Sequence, residues 1–117
     1  MAPPITEHDV QRAVCIHLDK YALPDVVWWH TPNGGSRSAM EGARFKQAGV
    51  KAGIPDLLFL RTGHLWGLEL KLEKGVVSSV QHERLAQLAA SGATVAVAYG
   101  LHWARRQIFQ WGLTSAC

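Results

Sequence analysis

The sequence predicts a single α/β domain built on a mixed sheet, and three observations carry that prediction. Helical periodicity alternates along the chain with short apolar, β-branched runs, which is the pattern of an α/β architecture. Two of those runs, residues 54–60 and 65–71, flank a Thr62-Gly63 pair and so read as a β-hairpin. At 117 residues, with 48% hydrophobic and 18% charged residues, the chain suits one core. Residues 1–117 therefore read as one domain, with no repeat, linker or low-complexity segment.

Thr6 opens the first helix: its hydroxyl caps, Asp9 reaches back from the third helical position, and Ile5 is placed to staple onto Val10. Val10, Ala13, Val14, His17, Leu18 and Tyr21 then recur at helical spacing, and Pro24 marks the end. Residues 26–30 are β-branched and aromatic, forming a strand that runs into the loop Thr31-Pro32-Asn33-Gly34-Gly35. Asn33, Ser36 and Arg37 supply donors beside the paired glycines, without the lysine-serine pattern of a phosphate loop. Ser38 and Glu41 have capping-box spacing for an inserted helix that reaches Ala48, and Gly49 ends it. Arg37, Arg44, Lys46 and Lys51 lie in or beside that helix, as a phosphate-contacting face or as solvated surface.

The hairpin follows, with Pro55 at the only strand position a proline suits, its start. Glu73-Lys74-Gly75 is a turn, and Ser78 with Gln81 makes a second capping box. Leu85, Leu88 and Ala89 form the buried stripe of the helix it opens, and Ser91-Gly92 closes it. Residues 94–99 are almost wholly apolar, as in a strand buried on both faces. Residues 101–111 form a closing helix with Leu101, Ala104, Ile108 and Trp111 on one side.

The hairpin carries the chemistry. A two-residue turn at Thr62-Gly63 sets Asp56 directly opposite Glu69, and the period of two along a strand adds Lys71 to their face. Opposed residues have Cα atoms roughly 4.5–5.5 Å apart, and two like charges that close repel unless a cation intervenes. A divalent metal reverses the sign. Taken alone, the Glu-Leu-Lys alternation is equally that of a half-buried strand with a solvated side, and Glu7 near a helix start has an electrostatic role.

Other classes are disfavoured. Cys15 lies in a helical pattern and Cys117 is the last residue, so there is no disulfide framework, and six scattered histidines make no zinc-site spacing. No run approaches the roughly 18 apolar residues of a membrane span, and the start lacks a signal core, so a cytoplasmic location is expected. A net charge of +3 and a pI near 9.1 permit a polyanionic partner.

Glu7 in the first helix, Gly53-Ile54-Pro55-Asp56, Glu69-Leu70-Lys71 and Gln81 opening a later helix resemble the VRR-Nuc family of the PD-(D/E)xK nuclease superfamily. The resemblance spans residues 6–99 and implies a restriction-endonuclease-like αβββαβ core. Its mixed central sheet is flanked by helices, with an inserted helix after the first strand and an added C-terminal helix. It also implies a Mg²⁺- or Mn²⁺-dependent endodeoxyribonuclease. Asp56, Glu69 and the Leu70 carbonyl become metal ligands, Glu7 an outer carboxylate near the metal, Lys71 the catalytic lysine and Gln81 a residue positioning water or metal. Asn33, Arg37, Arg44, Lys46 and Lys51 become DNA contacts. Free-standing members of this size imply a phage or bacterial homodimer acting on branched DNA such as four-way junctions. The alternatives are a nicking or restriction-like nuclease without junction preference, and a non-catalytic nucleic-acid binder that kept the fold.

Overall fold

The computed structural model describes residues 3–32 and 39–117. Their elements run α1 (Glu7–Tyr21), β1 (Val27–His30), α2 (Ala39–Gln47), β2 (Leu57–Arg61), β3 (His64–Lys71), α3 (Ser79–Ala90), β4 (Thr94–Tyr99) and α4 (Leu101–Gln110). This is the order expected from the sequence.

Capping fixes where two of the helices begin. Thr6 Oγ1 accepts the Asp9 N–H at 3.1 Å while Asp9 Oδ2 accepts the Thr6 N–H at 2.9 Å. Ser78 Oγ accepts the Gln81 N–H at 3.1 Å and Gln81 Oε1 accepts the Ser78 N–H at 2.9 Å. Each box satisfies donors that a first helical turn leaves open. Ile5 does not bury itself as a staple; it stays largely exposed. Asn33, Ser36, Arg37 and the expected cap Ser38 lie outside the described residues.

The sheet has the order β1-β2-β3-β4, with the first three strands antiparallel and β4 parallel to β3. Thr62 and Gly63 make the tight turn, with φ of 49° and 81°, the left-handed pair that a two-residue hairpin with right-twisted strands requires. The ladder runs from Arg61↔His64 to Leu57↔Leu68, so Asp56 and Glu69 are the next facing pair outward. The expected register holds.

One face of the sheet carries the core. Leu57, Phe59, Leu68, Leu70 and Ala98 pack there with Val10, Val14 and Leu18 of α1 and Ala104 and Ile108 of α4. Strand alternation then sends Asp56, Leu58, Gly67, Glu69 and Lys71 to the opposite face. The chain's end is tied back to α1, where Ser115 N–H donates to the Tyr21 carbonyl at 2.9 Å.

Two burial expectations are corrected. β4 is the sheet's edge; Ala98 alone of its residues is buried and Tyr99 is exposed. An apolar run does not distinguish a central strand from one with a neighbour on a single side. In α3, Leu85 is buried and Leu88 half-buried, but Ala89 is exposed, so the helix lays less of its stripe on the sheet than the spacing suggested. Residues 40–47 of α2 are exposed throughout, which fits an insertion that adds nothing to the core. Among the described residues, no helix is long and apolar enough to cross a membrane.

Candidate active site

Glu69 and Lys71 stand on the sheet face opposite the core cluster, yet they are only 2% and 8% exposed. A solvated polar strand face would leave them open to water, so the bland reading of the Glu-Leu-Lys alternation fails here. Asp56, half-buried, accepts the Leu70 N–H at 2.7 Å through Oδ2. Its own carbonyl accepts the Thr31 N–H at 2.8 Å and lies 3.0 Å from His30 Nδ1. The Asp56 turn is thus pinned from the end of β1 and from β3. Within a strand, one residue's N–H and C=O point to the same side. The Leu70 carbonyl therefore faces Asp56, beyond the point where β2 ends, while the Lys71 carbonyl accepts the Gly100 N–H on the other side at 2.8 Å.

Burial pushes the Glu69 carboxyl up to about 9. A hydrogen bond with Asp56 and the Asp56 charge push the same way, Lys71 opposes them, and Glu7 adds a smaller upward contribution. Glu69 Oε2 is buried with no hydrogen-bond partner. A buried acceptor without a partner is costly, and here it sits beside a second carboxylate and a backbone carbonyl. Such an all-oxygen donor set fits a hard divalent cation, with water completing the shell.

Glu7 is exposed in the first turn of α1, near enough for its charge to act on Glu69. Among the described residues, no three His, Cys, Asp or Glu side chains converge on one metal position. Glu7 is therefore a more distant charge, acting on the Asp56–Glu69 pair from outside it. Gln81 spends its Oε1 on the Ser78 capping box, which leaves its NH₂ group as the donor it can offer.

Of the cationic residues singled out in the sequence, Lys46 and Lys51 line one cleft of about 500 Å³ with Gly53 and Arg84. Arg44 is exposed on α2 and is not part of that lining; Asn33 and Arg37 lie outside the described residues. Sequence reasoning missed Arg84, whose Nε donates to the Ala52 carbonyl at 3.2 Å and whose Nη1 donates to Gln87 Oε1 at 2.8 Å. Its position one helical turn after Gln81 was the available signal. Gly53 lets its loop approach α3 closely: its φ is +80°, and a Cβ there would lie 2.8 Å from the Val80 carbonyl oxygen. Tyr99 was also missed. It is the register partner of Lys71, on the same face.

No family model matches the sequence, and no curated protein matches it. Among solved structures, a chain described as a VRR_NUC domain protein is similar, with a TM-score of 0.75 and 26% sequence identity, covering 94% of this chain and 90% of that one. The fold and the site define a nuclease domain of the PD-(D/E)xK type. Within that class the chain resembles the VRR-Nuc family, on a likeness that spans most of both chains.

Proposed function

We propose that this protein is a Mg²⁺- or Mn²⁺-dependent, structure-specific DNA endonuclease that hydrolyses phosphodiester bonds in branched DNA such as four-way junctions. The observation that carries the reading is the facing pair of half-buried Asp56 and buried Glu69, whose Oε2 has no partner, with Lys71 buried beside them. Nothing in ordinary folding favours two opposed carboxylates in a place that raises the charging cost of one of them.

Asp56, Glu69 and the Leu70 carbonyl would hold the cation. When bound, it supplies positive charge to the phosphate and makes a water more acidic. Lys71 carries three N–H donors on one ammonium, so it orients the attacking water and offsets the charge that grows on the phosphoryl oxygens. Its burial helps, since a fixed charge shielded from solvent acts more strongly than a hydrated one. The Gln81 NH₂ group donates to a water or a phosphate oxygen at the mouth of the site, and Glu7 holds the outer hydration. Lys46, Lys51 and Arg84 contact phosphates away from the cut, and Arg44 adds charge on α2. A homodimer suits this reading, because two sites related by a two-fold axis can cut opposite strands of a symmetric junction together.

The test is a substrate panel: a four-way junction, a plain duplex and a single strand, each with Mg²⁺ and with chelator. Cleavage of the junction ahead of the duplex, abolished by chelator, is expected. Equal cutting of plain duplex removes the junction preference and leaves a nicking or restriction-like nuclease. Binding without cleavage of any substrate leaves a nucleic-acid binder that kept the fold.

A further inference from the structure

Tyr99 ends β4 as the parallel register partner of Lys71, and the next residue, Gly100, donates its N–H to the Lys71 carbonyl at 2.8 Å. From that point a cleft of about 310 Å³ runs along β4 to α4, lined by Val97, Tyr99, Trp103, Arg106, Gln107 and Gln110. Trp103, Arg106, Gln107 and Gln110 follow helical spacing, so one stripe of α4 faces the cleft. Trp103 is 57% exposed and Tyr99 is 40% exposed, high values for side chains whose apolar area would stabilise a core. Among the described residues β4 has a strand neighbour on one side only, so its other edge has no strand to pair its N–H and C=O groups.

The lining is chemically one-sided. Its polar and aromatic groups are an indole, a phenol, a guanidinium and two carboxamides, and it contains no carboxylate. Aromatic faces stack bases whatever their sequence, a guanidinium pairs with phosphate, and carboxamides meet the polar edges of an unstacked base. A duplex hides those base edges inside its stack. A single strand presents them, and the cleft begins one strand away from Lys71.

We propose that the cleft between β4 and α4 is a subsite for unpaired nucleotides, taking the single strand that leaves the Asp56–Glu69–Lys71 centre, with Trp103 stacking a base and Arg106 holding a phosphate. The direction of that strand rests on the nuclease reading above; the subsite itself does not. A substrate with unpaired nucleotides next to the cut, such as an opened branch point or a splayed arm, is then favoured over continuous duplex. A second chain pairing along the open β4 edge is the competing occupant. The cationic and amide lining favours nucleic acid over it.

The test uses the full chain in chelator, so that no cleavage is needed. Anisotropy would be measured with a labelled oligothymidine of about 12 nucleotides, within the span of one single-strand site, and with a duplex of equal length. Trp103→Ala should weaken oligothymidine binding roughly tenfold, within the range that one stacked base contributes, and change duplex binding less than about twofold. Trp103→Phe keeps an aromatic face and should retain most of the affinity. Arg106→Gln should lower the slope of log affinity against log salt by about 0.7, the value for one phosphate on a single strand. Three results overturn the proposal: single-strand binding unchanged in Trp103→Ala, equal loss on both ligands, or a change in sedimentation mass with unchanged strand binding, which assigns the edge to a second copy. If the parent cleaves nothing with Mg²⁺ but the Trp103 dependence holds, the nuclease reading falls and the subsite stands. If cleavage occurs without that dependence, the subsite falls alone.

Discussion

Replacing Glu69 with glutamine is expected to stabilise the metal-free protein while removing its response to divalent cations. The Glu69 carboxyl titrates at about 9 in the folded protein against 4.5 for an ordinary glutamate, chiefly because it is buried and then because Asp56 lies beside it. Between those pH values the folded state holds a proton that the unfolded chain has released. Stability therefore falls as pH rises through that window, by about 1.4 kcal/mol per pH unit, and the loss levels off above the folded value. At pH 7 the parent has lost about 3 kcal/mol relative to a side chain of the same shape that never ionises. Glutamine is such a side chain, and its NH₂ group can still donate to Asp56. The assay is urea unfolding in chelator at about pH 5, 7 and 9, where the midpoint at constant slope reports stability. The variant should draw ahead of the parent as pH rises. Added Mg²⁺ at a hundred times its dissociation constant should raise the parent by about 2.7 kcal/mol and leave the variant unmoved. Parallel pH profiles, or a variant less stable than the parent at pH 7, would refute the reasoning.

Three further outcomes follow from the same structure. Changing Lys46 and Lys51 together to glutamine should reduce the salt slope of duplex binding by about two and leave the single-turnover rate of bound substrate nearly unchanged; an unaltered slope would remove that cleft from the DNA surface. Phe59, fully buried between the hairpin and the helices of the core, should cost about 3–5 kcal/mol in urea unfolding when cut to alanine, and a loss below about 1 kcal/mol would contradict the packing described. Gly53→Ala meets both a left-handed φ and the Val80 carbonyl oxygen at 2.8 Å. It should lower stability by about 1–3 kcal/mol, and an unchanged melting temperature would show that the loop does not rest on α3.

Local chemistry made the hairpin legible. Thr62-Gly63 specifies a tight turn, the turn specifies register, and register places Asp56 opposite Glu69 before any tertiary contact is considered. The capping boxes at Thr6 and Ser78 were readable for the same reason, since all their partners lie within three residues. What stayed hidden depends on distant pairing. The parallel alignment of Lys71 with Tyr99 is set after α3 has crossed over, so neither the exposed edge of β4 nor Tyr99 beside the site could be seen in residues 94–99. The burial of Glu69 and Lys71 was equally hidden, because alternation reads the same whether the polar side meets water or protein. Arg84 escaped because its position over the cleft depends on the loop that carries Gly53 packing against α3.

The most direct measurement is single-turnover cleavage of a four-way junction by the parent and by Lys71→Ala, with Mg²⁺ and with chelator, alongside the affinity of each protein for the same junction. Removing one preorganised donor to transition-state charge typically costs about 10²- to 10³-fold in rate. Lys71→Ala should lose that much rate while its DNA affinity changes little, and chelator should silence the parent. Cleavage by Lys71→Ala at the parent's rate, or cleavage by the parent that persists in chelator, would contradict the assignment of Asp56, Glu69 and Lys71 as a metal-dependent phosphodiesterase centre.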